Sequence, residues 1–174
     1  MLLDSSSAIL LFKADLFDAL VSVYHVSMSQ SVLHELTLED QPGADVFLRY
    51  AALKKVKIIS TRSIPTKAAK YLSLPASLHR GELDTIKCFQ AGGYAFIITD
   101  DGRAARYCRQ NKIPFINALL FPRVLNFFNN TPVHDRNIKT AKLVSLGRYS
   151  AEVVRWAENC KKEALHFAIP GSIE

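Results

Sequence analysis

An α/β fold with three layers, helices on both sides of a central parallel sheet, is what the order of residues in this chain implies. Three observations carry that expectation. Apolar runs of strand length recur along the 174 residues, segments of helical period alternate with them, and the strongest run, Ala95-Phe96-Ile97-Ile98-Thr99, ends directly in Asp100-Asp101. A short Phe/Ile/Ile run closed by a turn signal suits a strand covered on both faces. In sheets of this kind ligands bind at the carboxyl ends of the strands, where Asp100 and Asp101 fall. One of the two can instead cap the helix that follows.

The elements follow in order. Met1-Leu2-Leu3 is a short apolar strand ending in Asp4, and Ile9, Leu10, Phe12, Leu16, Phe17, Leu20 and Val21 continue it as a helical pattern. Ser5, Ser6 and Ser7 are able caps for that helix, which leaves Asp4 free for other work. Val23 to Met28 reads as a second strand and Ser29 to Leu36 as a short helix with Val32, Leu33 and Leu36 inward; Glu35 stands at the border of its buried face. Asp45 to Lys55 is amphipathic, and Val56-Lys57-Ile58-Ile59 is a strand. Arg62 to Arg80, with Lys67, Lys70 and His79, is the most basic portion and contains no acid. It leads into a helix from about Gly81 to Gln90, on which Glu82 and Asp84 lie roughly 200° apart, so that one of the two is the better candidate for any shared site. After the Ala95–Thr99 strand, Arg103 to Asn111 is a helix, and Ile113-Pro114-Phe115-Ile116 is a last strand placed at the sheet edge by its proline. Leu119 to Phe128, Arg136 to Leu146 and Ala151 to Leu165 are helical. No linker separates them as a second domain, so residues 1–174 read as one domain, with a core over about 1–117 and a helical extension over about 118–174.

Composition bounds the function. Hydrophobic residues make up 49% of the chain, enough for a packed core, and the net charge of +6 suits a polyanionic partner. Cys88, Cys108 and Cys160 are far apart and form no CxxC pair, and the five histidines lack ligand spacing, so neither a zinc site nor a disulfide framework is expected. No signal-peptide pattern opens the chain and no apolar run is long enough to span a bilayer. The expectation is a cytoplasmic protein with no membrane partner.

Against that basic background stand Asp4, Glu35, Asp84 or Glu82, and Asp101 with Asp100. Carboxylates gathered in one crevice repel one another and protonate in part unless a cation neutralises them. Oxygen-only ligands select hard ions, Mg²⁺ or Mn²⁺. Such an ion activates water and offsets charge on a phosphate, while nearby Arg80, Arg103 and Arg106 can hold a nucleic-acid backbone.

The segments LLDSS, SVLHEL, GELDTI and ITDDGRAAR, in that order over residues 1–117, resemble a PIN domain, the fold of toxin nucleases in bacterial type II toxin–antitoxin pairs and of related RNA-processing nucleases. The GE and DDGRAAR forms are similar to a less characterised branch of that family. The resemblance implies a metal-dependent endoribonuclease acting on RNA, with Asp4, Glu35, Asp84 and Asp101 as ligands of Mg²⁺ or Mn²⁺. Glu82 and Asp100 become supporting or alternative ligands, and Thr99 or Ser6 orders the attacking water. It also implies an antitoxin protein as a partner and a homodimer, for which the apolar C-terminal helices offer an interface. Two other readings exist: a non-catalytic PIN-like module that binds RNA or protein, and a receiver-like phosphoacceptor. The latter wants a lysine after a late strand, where this chain has Ile116-Asn117.

Overall fold

In the computed structural model, which describes residues 1–38, 40–64 and 78–171, the five apolar runs form one sheet. Its strands are β1 (Leu2–Leu3), β2 (Val26–Ser29), β3 (Val56–Ile59), β4 (Ile97–Ile98) and β5 (Phe115–Ile116), in the order β3-β2-β1-β4-β5. Every pairing is parallel. The chain builds outward from β1 through β2 to β3, then crosses back to add β4 and β5 on the other side. The crevice beyond the carboxyl ends of β1 and β4 is therefore the topological switch point. Asp4 and Asp100 leave the sheet there, and the Asp4 amide still donates to the Ile98 carbonyl at 3.2 Å. Pro114 stands just before the edge strand β5, and its carbonyl accepts from the Ile97 amide at 3.0 Å.

Strand alternation sorts the core into two. Leu3, Val26, Met28, Ile98 and Ile116 point to one face and Leu2 and Ile97 to the other. The first face is covered by α1 (Ser5–Lys13), α2 (Phe17–Val23), α3 (Gln30–Leu36) and α4 (Ala44–Ala52), through Leu11, Leu20, Leu36 and Phe47. The second is covered by α5 (Arg80–Gln90) and α6 (Gly102–Gln110), through Ile86, Ala104, Tyr107 and Cys108. The C-terminal helices α7 (Phe121–Asn129), α8 (Val133–Leu146) and α9 (Ala151–Asn159) return to the first face, where Phe121, Leu143 and Ala157 join its core. The three layers and the C-terminal helices are those expected from the sequence.

Among the boundaries that differ, three have a clear local reason. The pattern from Ile9 to Val21 is two helices, because Asp15 adopts a left-handed φ of 55° between them. Aspartate tolerates that region better than most residues. Val23 belongs to α2 and not to β2, since the Tyr24 amide still donates to the Leu20 carbonyl at 2.9 Å. The helix expected over Ala151–Leu165 stops at Asn159 and resumes as a 3₁₀ segment, Lys162–Ala168. At the break Arg123 donates to the carbonyls of Glu158 (2.6 Å) and Cys160, which satisfies the end of α9. Lys67 and Lys70 of the basic run lie outside the described residues. Among the described residues no helix is long and apolar enough to cross a membrane.

Candidate active site

Asp4 is the centre of the acidic crevice, and it is also the N-cap of α1. Its Oδ1 accepts from the Ser7 amide at 2.8 Å and from Ser6 Oγ at 3.1 Å, and its Oδ2 accepts from Thr99 Oγ1 at 2.5 Å. This corrects the expectation that the serines cap. They occupy the first turn itself, and only the residue before it holds an extended backbone whose side chain reaches the third amide. The carboxyl is 2% exposed. Burial pushes its pKa up to about 6, the hydrogen bond from Thr99 opposes that rise, and the charge of Asp100 adds to it.

Asp100 follows Thr99 at the end of β4. Its Oδ2 accepts from Ser7 Oγ at 2.7 Å and from the Ala118 amide at 2.9 Å, and its Oδ1 accepts from the Tyr149 hydroxyl at 2.5 Å. Burial raises its pKa, while the hydrogen bonds from Tyr149, Ala118 and Ser7 work against that rise. The fully buried Ser7 thus serves both acids, its amide to Asp4 and its hydroxyl to Asp100.

Asp101, expected to face the ion with Asp100 in support, is the member of the pair that caps the following helix. It is the N-cap of α6, with Oδ1 accepting from the amides of Arg103 (2.8 Å) and Ala104 (2.9 Å), and its Oδ2 lies 3.7 Å from Arg103 Nη2.

Glu35 reaches across from α3. Its Oε2 accepts from Ser5 Oγ at 2.6 Å and its Oε1 from the Gly81 amide at 3.0 Å, which satisfies one of the open amides at the start of α5. A Cβ on Gly81 would lie 2.6 Å from Glu35 Oε2, so the glycine is what lets the carboxylate approach. That contact ties SVLHEL to GELDTI.

The roughly 200° between Glu82 and Asp84 separates them as the helix geometry requires. Glu82 flanks a narrow cavity of about 10 Å³ together with Asp4, Thr85, Thr99 and Cys108. Its Oε2 accepts from the His79 amide at 2.9 Å. Burial raises the Glu82 pKa, the His79 bond lowers it, and the charge of nearby Asp101 raises it again. Asp84 does not line that cavity. It is 6% exposed, accepts from Ser31 Oγ at 2.8 Å, and has Lys87 Nζ at 3.5 Å and Arg80 Nε at 3.9 Å, so its charge is already balanced. Burial first, and then the charge of Asp4, push the Cys108 thiol up to about 12, which keeps it neutral.

The crevice therefore joins Asp4 to Asp100 through Ser7 and places Glu82 beside Asp4 on one cavity, while Glu35 bonds Ser5 and Gly81, their neighbours along the chain. Among the described residues no three acids, histidines or cysteines stand close enough to hold one ion as placed. The chemistry of the donors nonetheless fits a hard divalent cation. They are all oxygen, and a buried carboxylate held at about 6 beside a second acid is one whose negative charge a cation would relieve. Arg80 at the start of α5 and Arg103 and Arg106 on α6 are exposed.

Several partners were not visible in the sequence. Ser7 was one of three equivalent serines, and Ser31 was an ordinary residue of a helix start. No spacing connects Tyr149 to Asp100.

The family model described as DUF3368, a PIN domain, matches residues 1–120. Comparison with curated proteins and with solved structures returns no match.

Proposed function

Because this chain belongs to the PIN domain family, we propose that it is a divalent-metal-dependent endoribonuclease whose cation site is centred on Asp4. The observation that carries the reading is the buried Asp4 carboxylate at the switch point of the sheet, at a pKa of about 6, sharing a cavity with Glu82. Asp4 and Glu82 would hold Mg²⁺ or Mn²⁺, with Glu35 and Asp101 beside them and Asp100 in support. Glu82 takes precedence over Asp84, whose charge Lys87 and Arg80 already meet. When bound, the ion supplies an activated water and positive charge against the phosphate.

The chain's own residues do the rest. Thr99 and Ser6 fix the two oxygens of Asp4. Exposed Arg103 and Arg106 on α6, with Arg80 at the start of α5, hold the RNA backbone as point contacts. The test is cleavage of RNA in Mn²⁺ by the protein and by Asp4→Asn: loss of cleavage in the variant supports the site, and equal cleavage by both sinks it. A toxin role with an antitoxin partner, and a homodimer, belong to the same proposal. Co-purification with the product of an adjacent small gene and sedimentation of the pure protein test those two points.

One observation favours a second reading, a non-catalytic PIN-like module that binds RNA or protein. Asp4, Glu35 and Asp101 already accept hydrogen bonds on at least one oxygen each, and Asp84 is ion-paired. RNA binding without any Mn²⁺ binding in calorimetry would select it.

A further inference from the structure

The region matched by the family model ends at residue 120, yet one donor to the acidic crevice comes from beyond it. Tyr149 lies between α8 and α9, and its hydroxyl donates to Asp100 Oδ1. We propose that Tyr149 is a positioning residue of the cation site, acting through Asp100 and Ser7 on the carboxylate of Asp4. The inference rests on the reading of Asp4 as a cation ligand.

The relay is continuous. Tyr149 donates to one oxygen of Asp100, Ser7 Oγ and the Ala118 amide donate to the other, and the amide of the same Ser7 donates to Asp4 Oδ1 at 2.8 Å. With three donors on two oxygens, the Asp100 carboxylate has a fixed plane, and that plane holds the Ser7 side chain. Removing the Tyr149 hydroxyl leaves Oδ1 of a buried acid without the one donor it has among the described residues, so the carboxylate is free to turn, its bond from Ser7 Oγ loosens, and its negative charge shifts beside Asp4.

The backbone is shaped for this ring. A Cβ on Gly147 would overlap Tyr149 Cε2, so the absence of a side chain two residues earlier lets the ring stand where it does. The segment is also held independently of Tyr149. Lys142 of α8 pairs with Asp15, and the Tyr24 hydroxyl donates to the Ala168 carbonyl. Loss of the Tyr149 hydroxyl alone therefore does not release the C-terminal helices, and its effect at the acids is separable from anchoring.

The experiment is Mn²⁺ binding by calorimetry at pH 7.5 on the full chain, without RNA, for the protein, Tyr149→Phe, Ser7→Ala, the double variant, and Tyr24→Phe. Tyr24→Phe is the control, since it removes a hydroxyl bond to the same C-terminal segment far from the acids. Partners that orient a ligand typically set affinity by about 10- to 100-fold. Tyr149→Phe should weaken Mn²⁺ about 10-fold, Tyr24→Phe should leave it unchanged, and the double variant should lose less than the product of the Ser7→Ala and Tyr149→Phe losses. Equal affinity for Tyr149→Phe and the parent overturns the proposal while the cation site stands, and so does an equal loss in Tyr24→Phe. If Tyr149→Phe fails to fold, Ser7→Ala decides, because binding unchanged in that variant breaks the relay. A parent that binds no Mn²⁺ overturns the cation site and this inference together.

Discussion

Replacing Asp4 with asparagine should make the metal-free protein more stable at neutral pH. The folded carboxyl sits at about 6 against an ordinary 3.8, and a gap of that size is worth about 3 kcal/mol. A raised folded pKa means that the folded state holds the proton more tightly than the unfolded chain. The contribution is present in full below about pH 4 and is lost as pH rises through 6, leaving the ionised carboxylate as a burden at pH 7.5. Asparagine carries no charge at any of these pH values and caps a helix as well as aspartate does. Its oxygen can still accept from the Ser7 amide, and its amide nitrogen can donate to Thr99, whose hydroxyl accepts as readily as it donates. At about 2–4 °C per kcal/mol for a chain of this size, Asp4→Asn should melt about 6–12 °C higher at pH 7.5. The difference should close towards zero at pH 4. Thermal melts of both proteins by circular dichroism in EDTA, from pH 4 to 8, measure it. A melting difference that stays constant with pH, or a variant less stable at pH 7.5, would refute the argument that burial of Asp4 is what raises its pKa.

The remaining expectations concern the ion, a close contact and the exposed arginines. Saturating Mn²⁺, at about 100 times its Kd, should add about 2.7 kcal/mol to the parent and nothing to Asp4→Asn, read as the shift of a melting curve. Gly81→Ala forces Glu35 off the Gly81 amide and should cost about 1–3 kcal/mol in a urea titration, despite the better helix propensity of alanine; a variant at least as stable as the parent contradicts the close approach. Arg103→Gln with Arg106→Gln should weaken RNA binding and reduce the slope of log K against log salt by about 0.7 for each phosphate contact removed, and filter binding across a salt series would expose an unchanged slope.

What could be read without coordinates was whatever depends on period. Strands such as Phe96-Ile97-Ile98 and the edge proline at 114 declare themselves by local pattern, and the sheet then dictates that acids after β1 and β4 meet at one end. The choice within each acidic pair was less legible because it depends on partners. Glu82 and Asp84 differ in whether Lys87, Arg80 and Ser31 take the charge, and those contacts follow from how α5 lies on α3. The capping role of Asp4 was hidden for another reason: three serines follow it, and only the backbone angle at residue 4 decides which residue caps. The bond from Tyr149 spans 49 positions and has no local signature at all.

β1 is two residues long, with Leu2 facing one core and Leu3 the other. Its length is consequently not a free variable. One residue inserted between Leu2 and Asp4 would, with Leu2 held in place, send the acid to the opposite side of the sheet. Insertions are instead tolerable in connections on the side of the sheet away from the crevice. Any variation in chain length that keeps the crevice intact must be confined to connections that do not enter it.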